Sequence, residues 1–219
     1  MNHIRNNLAL LLTITLSSIT SLSFAGKTNF VTCGSIVKLL NSDYGSRLHS
    51  HDVKYGSGSG QQSVTGIELK EDVNSHWVVK APLIKQCERG EPIKCGDIVR
   101  LEHLTTNKNL HSHHFLSPLS GEQEVSAYGE DGIGDSGDHW ELVCSNDEWL
   151  RDAHVQLRHL DTGSYLGISG RSFGRPISGQ MEVVAFSSPQ HGSRWTVAEG
   201  VYIVPKVKES HAEYLHLEL

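Results

Sequence analysis

Histidines spaced two apart are the first residues in this sequence whose type and pattern could do chemistry. They occur as Leu48-His49-Ser50-His51 and, 62 residues later, as Leu110-His111-Ser112-His113, with His114 following. On an extended chain, side chains two apart share a face, so each pair would project its imidazoles together. Paired imidazoles can ligate a transition metal, or donate and accept hydrogen bonds with a polar ligand. The metal reading is set aside here, because no carboxylate or cysteine stands at a reinforcing spacing and the pairs lie far apart in the chain. Two readings stay open. In one, His49, Ser50, His51, His111, Ser112 and His113 form a recognition surface with Gln61 and Gln62 of the Gly-rich stretch nearby. In the other they are structural. Neither calls for a metal or cofactor.

The elements that must position these residues come from a threefold internal repeat. Val37-x-Leu39, Val99-x-Leu101 and Val155-x-Leu157 are each followed, nine residues from Leu to Leu, by Leu48, Leu110 and Leu166. A Gly-led segment ending in Val64, Val125 or Val183 comes next, and Trp77, Trp140 or Trp195 closes each copy. Copy three reads Leu166-Gly167-Ile168-Ser169 and lacks both histidines. Short Val/Leu/Trp islands between turn residues predict four strands per copy and twelve in all. One copy cannot bury its own apolar face, so the three must share a core, and a closed barrel removes exposed edges. The expected fold class is all-β, a β-trefoil. A three-bladed propeller is the alternative, but it falls below the usual blade number.

Arg5, the apolar run Leu8 to Leu16 and Ser23-Phe24-Ala25 read as a signal peptide over 1–25, cleaved after Ala25. The repeat region is then 26–203, with copies at about 31–86, 92–146 and 149–200, and 204–219 is a flexible tail. Nothing after residue 25 is long and apolar enough to span a bilayer as a helix. A secretory route makes the four cysteines disulfide candidates before metal ligands. Cys33 and Cys95 open copies one and two while Cys87 and Cys144 close them, which favours Cys33–Cys87 with Cys95–Cys144. Cys87–Cys95 with Cys33–Cys144 stays open. The net charge of −6 argues against a phosphate backbone as partner.

Other chemical signals are weaker. Gly132-x-Gly134-x-x-Gly137 matches a dinucleotide fingerprint by letter, but it lies among Asp131, Asp135 and Asp138 in what reads as a solvated acidic loop, without the required strand and helix. Ricin-type lectins carry Gln-x-Trp, whereas Ser75, Asp138 and Ser193 stand two before the three tryptophans, which are read as core layers. No nucleophile–base arrangement or Gly-x-Ser-x-Gly elbow is readable, so the chain is not expected to be an enzyme.

The Val-x-Leu, Leu-His-Ser-His and closing Trp resemble MIR repeats. Cys33-Gly34-Ser35, Leu48 to Val53, Tyr55 to Gly66 and Pro176 to Gln180 are similar to the stromal cell-derived factor 2 family over the whole mature chain. The resemblance implies a β-trefoil of three MIR repeats in the lumen of the endoplasmic reticulum. It also implies a monomeric, non-catalytic partner of a BiP-type chaperone and a J-domain co-chaperone, handling misfolded or O-mannosylated clients in quality control. A mannose-recognising module is the alternative. Family members end in a His-Asp-Glu-Leu-like signal; here the tail is His216-Leu217-Glu218-Leu219, and the apolar Leu217 is expected to weaken retrieval and allow partial secretion.

Overall fold

Each of the three copies folds as four strands, in a computed structural model that describes residues 29–204. The expected signal peptide and the His216-Leu217-Glu218-Leu219 terminus lie outside the described residues. Copy one contributes β1 (Ile36–Asn41), β2 (Arg47–Lys54), β3 (Gln62–Ile67) and β4 (Trp77–Lys80). Copy two contributes β5 (Ile98–His103), β6 (Asn109–Leu116), β7 (Gln123–Tyr128) and β8 (Trp140–Val143). Copy three contributes β9 (Gln156–His159), β10 (Tyr165–Ser172), β11 (Met181–Phe186) and β12 (Trp195–Val201). The second strand of each copy runs eight residues, longer than its apolar core suggests, because its far end stays paired beyond a register shift.

The first and last strands of the copies close into a ring. β1 pairs with β4, β4 with β5, β5 with β8 and β8 with β9, all antiparallel. A bridge from Val155 to Trp195 leads into β12, and β12 returns to β1. The fold is therefore all-β with a closed barrel, which leaves the barrel no free edge. The inner two strands of each copy form hairpins, β2–β3, β6–β7 and β10–β11. These meet at one end, where β3, β7 and β11 pair with one another in a closed triangle.

Val37, Leu39, Val99, Leu101, Val155 and Leu157 point into the barrel and are at most 1% exposed. Trp77, Trp140 and Trp195 are fully buried, and each indole Nε1–H donates to the carbonyl of Leu48, Leu110 or Leu166 at 2.9 Å. This bond ties the last strand of each copy to its own hairpin and satisfies the indole in an apolar core. Val31, Ile93 and Trp149, one from the segment leading into each copy, fill another part of the core. Val31 N–H donates to Trp149 O, Trp149 N–H to Ile93 O and Ile93 N–H to Val31 O, at 2.8, 2.8 and 3.0 Å. The three leading segments thus close a hydrogen-bonded cycle of their own. Disulfides join Cys33 to Cys87 and Cys95 to Cys144. They close loops of 54 and 49 residues, each worth on the order of 4 kcal/mol by loss of unfolded-chain entropy.

Candidate functional site

The histidine pairs lie on β2 and β6, at the hairpin end of the molecule. His49 is 4% exposed and His111 5%, so the solvent-facing placement expected from strand alternation holds for neither. Both strands begin with four consecutive buried residues. One face packs on the core through Leu48 and Leu110. The other is covered by a short 3-10 turn, Val73–Ser75 over β2 and Ser136–Asp138 over β6.

Those turns supply the carboxylates that local spacing did not reveal. His49 Nδ1 lies 2.8 Å from Asp72 Oδ2, and its Nε2 lies 2.8 Å from Nδ1 of the half-buried His51. The Ser75 hydroxyl donates to the same Asp72 oxygen at 2.6 Å. Burial alone would raise the Asp72 carboxyl, but hydrogen bonds from Ser75 and His49 outweigh it and hold the group below its ordinary value. His51 is pushed down, first by burial and then by the neighbouring His49.

In copy two, His111 Nδ1 is 2.9 Å from Asp138 Oδ1 and 3.6 Å from Asp135 Oδ1. Asp135 and Asp138 form a capping box around the 3-10 turn. Asp131 and Asp135 are exposed, as expected of a solvated acidic loop, but Asp138 is fully buried, which corrects that reading at this one residue. The glycines of the dismissed fingerprint have a steric role instead. A Cβ on Gly137 would meet the His111 ring, and one on Gly134 would meet the Asp138 carboxylate. His113, half-buried, places Nε2 3.1 Å from Glu124 Oε1.

Glu124 and Glu182 were not singled out in the sequence, yet each is a fully buried carboxylate that holds the loop of the preceding copy. Glu124 accepts from the Ser59 hydroxyl and from Ser59 N–H at 3.3 Å. The Gly-rich loop after Tyr55 is therefore tethered at Ser59. Glu182 accepts from Ser117, from Ser169 Oγ at 2.6 Å, and from Leu119 and Ser120 N–H at 3.0 and 3.1 Å. At the same place copy one has Ser63, which bonds Val53 O instead.

A second missed set clasps neighbouring copies. His103 bonds Thr106 Oγ1 and Asn74 O, and His159 bonds Thr162 Oγ1 and Gly137 O, all at 2.9 Å. Asn41 holds the same place in copy one and donates to Gly192 O at 2.6 Å. The signal was present in the sequence: each follows its Val-x-Leu by two residues. Gln62 and Gln123 repeat the device, each side-chain amide donating through Nε2 to its own hairpin serine, Ser50 or Ser112, and to a threonine of the next copy's turn, Thr106 or Thr162.

What remains open to solvent is a groove on the seam between copies one and two. Its larger part, about 760 Å³, is lined by Lys54, Gln61, Lys108, Tyr128 and Glu130, among others. A smaller hollow of about 410 Å³ continues past Gln61 and Tyr128 to His113, His114 and Asp161. Tyr128 is 38% exposed, and its ring lies 4.8 Å from that of His111. Of the residues singled out in the sequence, Gln61, Gln62, His111, Ser112 and His113 line the groove and His51 is half-buried on β2. Ser50, Gln62 and Ser112 are buried in hydrogen bonds that join strands, as His49 and His111 are joined to their turns. Tyr128 was missed because nothing in its local sequence separates it from a strand-end aromatic.

A family model described as MIR domain matches residues 38–167. Stromal cell-derived factor 2 from Mus musculus is 52% identical over 189 residues, covering 86% of this chain and 89% of its own. The crystal structure of the SDF2-like protein from Arabidopsis thaliana is 43% identical, with a TM-score of 0.79 over 81% of this chain and 99% of that one. The Saccharomyces cerevisiae protein O-mannosyltransferase Pmt1-Pmt2 complex, solved bound to the sugar donor, matches at 29% identity and a TM-score of 0.68, over 84% of this chain and 28% of that one.

Proposed function

Since the chain belongs to the stromal cell-derived factor 2 family of MIR-domain proteins, we propose that it is a non-catalytic binding protein of the endoplasmic-reticulum lumen that takes O-mannosylated or misfolded client chains in the groove between copies one and two. In this reading residues 1–25 are a cleaved signal peptide and 26–203 are a β-trefoil of three MIR repeats. A J-domain co-chaperone and a BiP-type chaperone are its luminal partners. The observation that carries the reading is the groove itself. It combines a partly exposed aromatic face, Tyr128, with an amide and an imidazole, Gln61 and His113, on a rigid double hairpin. An apolar face edged by a few polar groups suits a polyol or a short polar peptide segment.

The mannose-recognising module is the second reading, favoured by the 29% identity to a mannosyltransferase complex. A mannosyl-peptide array and a co-chaperone pull-down, run on the wild type and on Tyr128→Ala, separate the two. Loss of glycan-dependent binding with the pull-down intact favours the lectin-like reading. Loss of client capture irrespective of mannose favours the chaperone-linked one, and no effect of Tyr128→Ala on either refutes the groove. Luminal residence through the tail is tested by Leu217→Asp: a smaller secreted fraction is expected, and equal secretion would show that the tail does not set residence.

A further inference from the structure

We propose that copy two carries a divalent transition-metal site, of zinc type, built from His111 Nδ1, Asp135 and Asp138. Their ligand atoms lie within 4.8 Å of one another. The 2.9 and 3.6 Å separations from His111 Nδ1 to the two carboxylates correspond to ligand–metal–ligand angles of about 90–120° at zinc bond lengths of roughly 2.05 Å. One imidazole with two carboxylates is a donor set that zinc accepts.

The hydrogen bonds that already hold these groups would survive as support for the ion. Asp138 Oδ2 accepts from Asp135 N–H at 3.0 Å, and Asp135 Oδ1 accepts from Gly137 N–H at 2.9 Å through one of its lone pairs. Both carboxylates are therefore oriented before any ion arrives. The proton between His111 Nδ1 and Asp138 Oδ1 has to give way: in the neutral imidazole it moves to Nε2, which frees the Nδ1 lone pair for the metal with no net loss of a proton.

The other two copies supply an internal control. Copy one keeps the imidazole and one acid, His49 and Asp72, but has Ser75 where copy two has Asp138. Copy three has Gly167 in place of the imidazole and Ser193 in place of the acid. Asp138 is thus an added, fully buried carboxylate in one copy of three. A divalent cation held between the two carboxylates would neutralise both, of which Asp138 is fully buried. This inference does not depend on the client-binding role of the groove.

The test is calorimetric titration of the full chain with zinc chloride. The proteins are the wild type, Asp135→Asn, Asp138→Ser and a His113→Ala/His114→Ala double variant. Asp138→Ser installs the residue copy one carries, and Asp135→Asn keeps the capping oxygen; folding of each is checked by its melting curve in chelator. One zinc per chain is expected, with at least about tenfold weaker binding in both Asp variants. The double variant should retain binding. Absence of stoichiometric binding, equal affinity in the Asp variants, or loss confined to the double variant would overturn the site. Should Asp138→Ser fail to fold, Asp135→Asn decides alone.

Discussion

Replacing His103 by asparagine tests whether the buried clasp between copies makes this protein acid-sensitive. His103 is fully buried, bonded to Thr106 and Asn74, and packed 5.0 Å from the Trp77 ring. Burial pushes its pKa from the ordinary 6.5 down to about 4. A depressed imidazole favours the neutral form in the fold, so its contribution is whole above pH 6.5 and is lost as pH falls towards 4. Worked through proton linkage, the loss at pH 5 is about 2 kcal/mol. For a domain of this size that is a fall in Tm of roughly 4–8 °C. Asparagine does not titrate, and Asn41 performs the same clasp in copy one. His103→Asn should cost about 1–3 kcal/mol at pH 7.5 from altered bonding and packing, yet lose about 2 kcal/mol less than the wild type between pH 7.5 and pH 5. Urea or thermal denaturation at the two pH values measures this. His51 and His159, also lowered by burial, leave a residual slope in both proteins. Identical pH losses in variant and wild type would refute the assignment.

Glu182→Gln should destabilise by about 1–3 kcal/mol at pH 7, since three donors share Oε1 of that buried carboxylate, which an amide oxygen can replace only without its charge, and the amide nitrogen displaces the Oε2 that accepts from Ser169. Burial would raise Glu182, but its serine partners outweigh burial and lower it, so its contribution is present above the ordinary Glu range and lost as pH falls below it. Melting curves from pH 6 to pH 3 should therefore fall less steeply for Glu182→Gln than for the wild type. Trp140→Phe removes the donor to Leu110 O and leaves that carbonyl buried without it, for an expected loss of about 1–3 kcal/mol in urea titrations. Gly58→Ala meets both a positive φ of 69° and the Glu124 carboxylate in the path of the new methyl group. It should release the Ser59 tether and lower Tm, while Gly45→Ala, at a similar φ but with open space around it, should cost only its backbone strain.

The repeated Val, Leu and Trp positions were legible in the sequence because they are core contacts made identically three times. They located twelve strands, and the favoured cysteine pairing matches the bonds formed. The histidines were only half legible. Alternation assumes that one strand face meets solvent, whereas the first halves of β2 and β6 are covered on both sides, by the core and by a 3-10 turn. The carboxylate partners lie 23 and 27 residues from their histidines, across a complete strand and turn, so no local spacing pointed to them. Glu124 and Glu182 were hidden for a related reason. An acid in a strand reads as a solvent-facing residue until the loop of the preceding copy is known to cover it.

The departures from threefold symmetry explain why the groove lies where it does. The backbone repeats in all three copies, but the place of His49 and His111 is taken in copy three by Gly167. There the Phe186 ring and the Gly192 carbonyl crowd the position a Cβ would need, which leaves no room for an imidazole. The carboxylate tethers depart differently: Glu124 and Glu182 occupy copies two and three, and Ser63 stands in copy one. Seam one–two is thus where a loop is tethered by Glu124 and where a histidine pair from copy two lies beside it, with His113 touching that same Glu124. A ligand contacting Gln61, on the tethered loop, and His113 would bear on both elements through one buried carboxylate. Glu124→Gln should therefore weaken ligand binding more than Glu182→Gln at equal loss of stability. Equal effects of the two, measured as client or glycan affinity, would mean that the groove does not depend on this shared anchor.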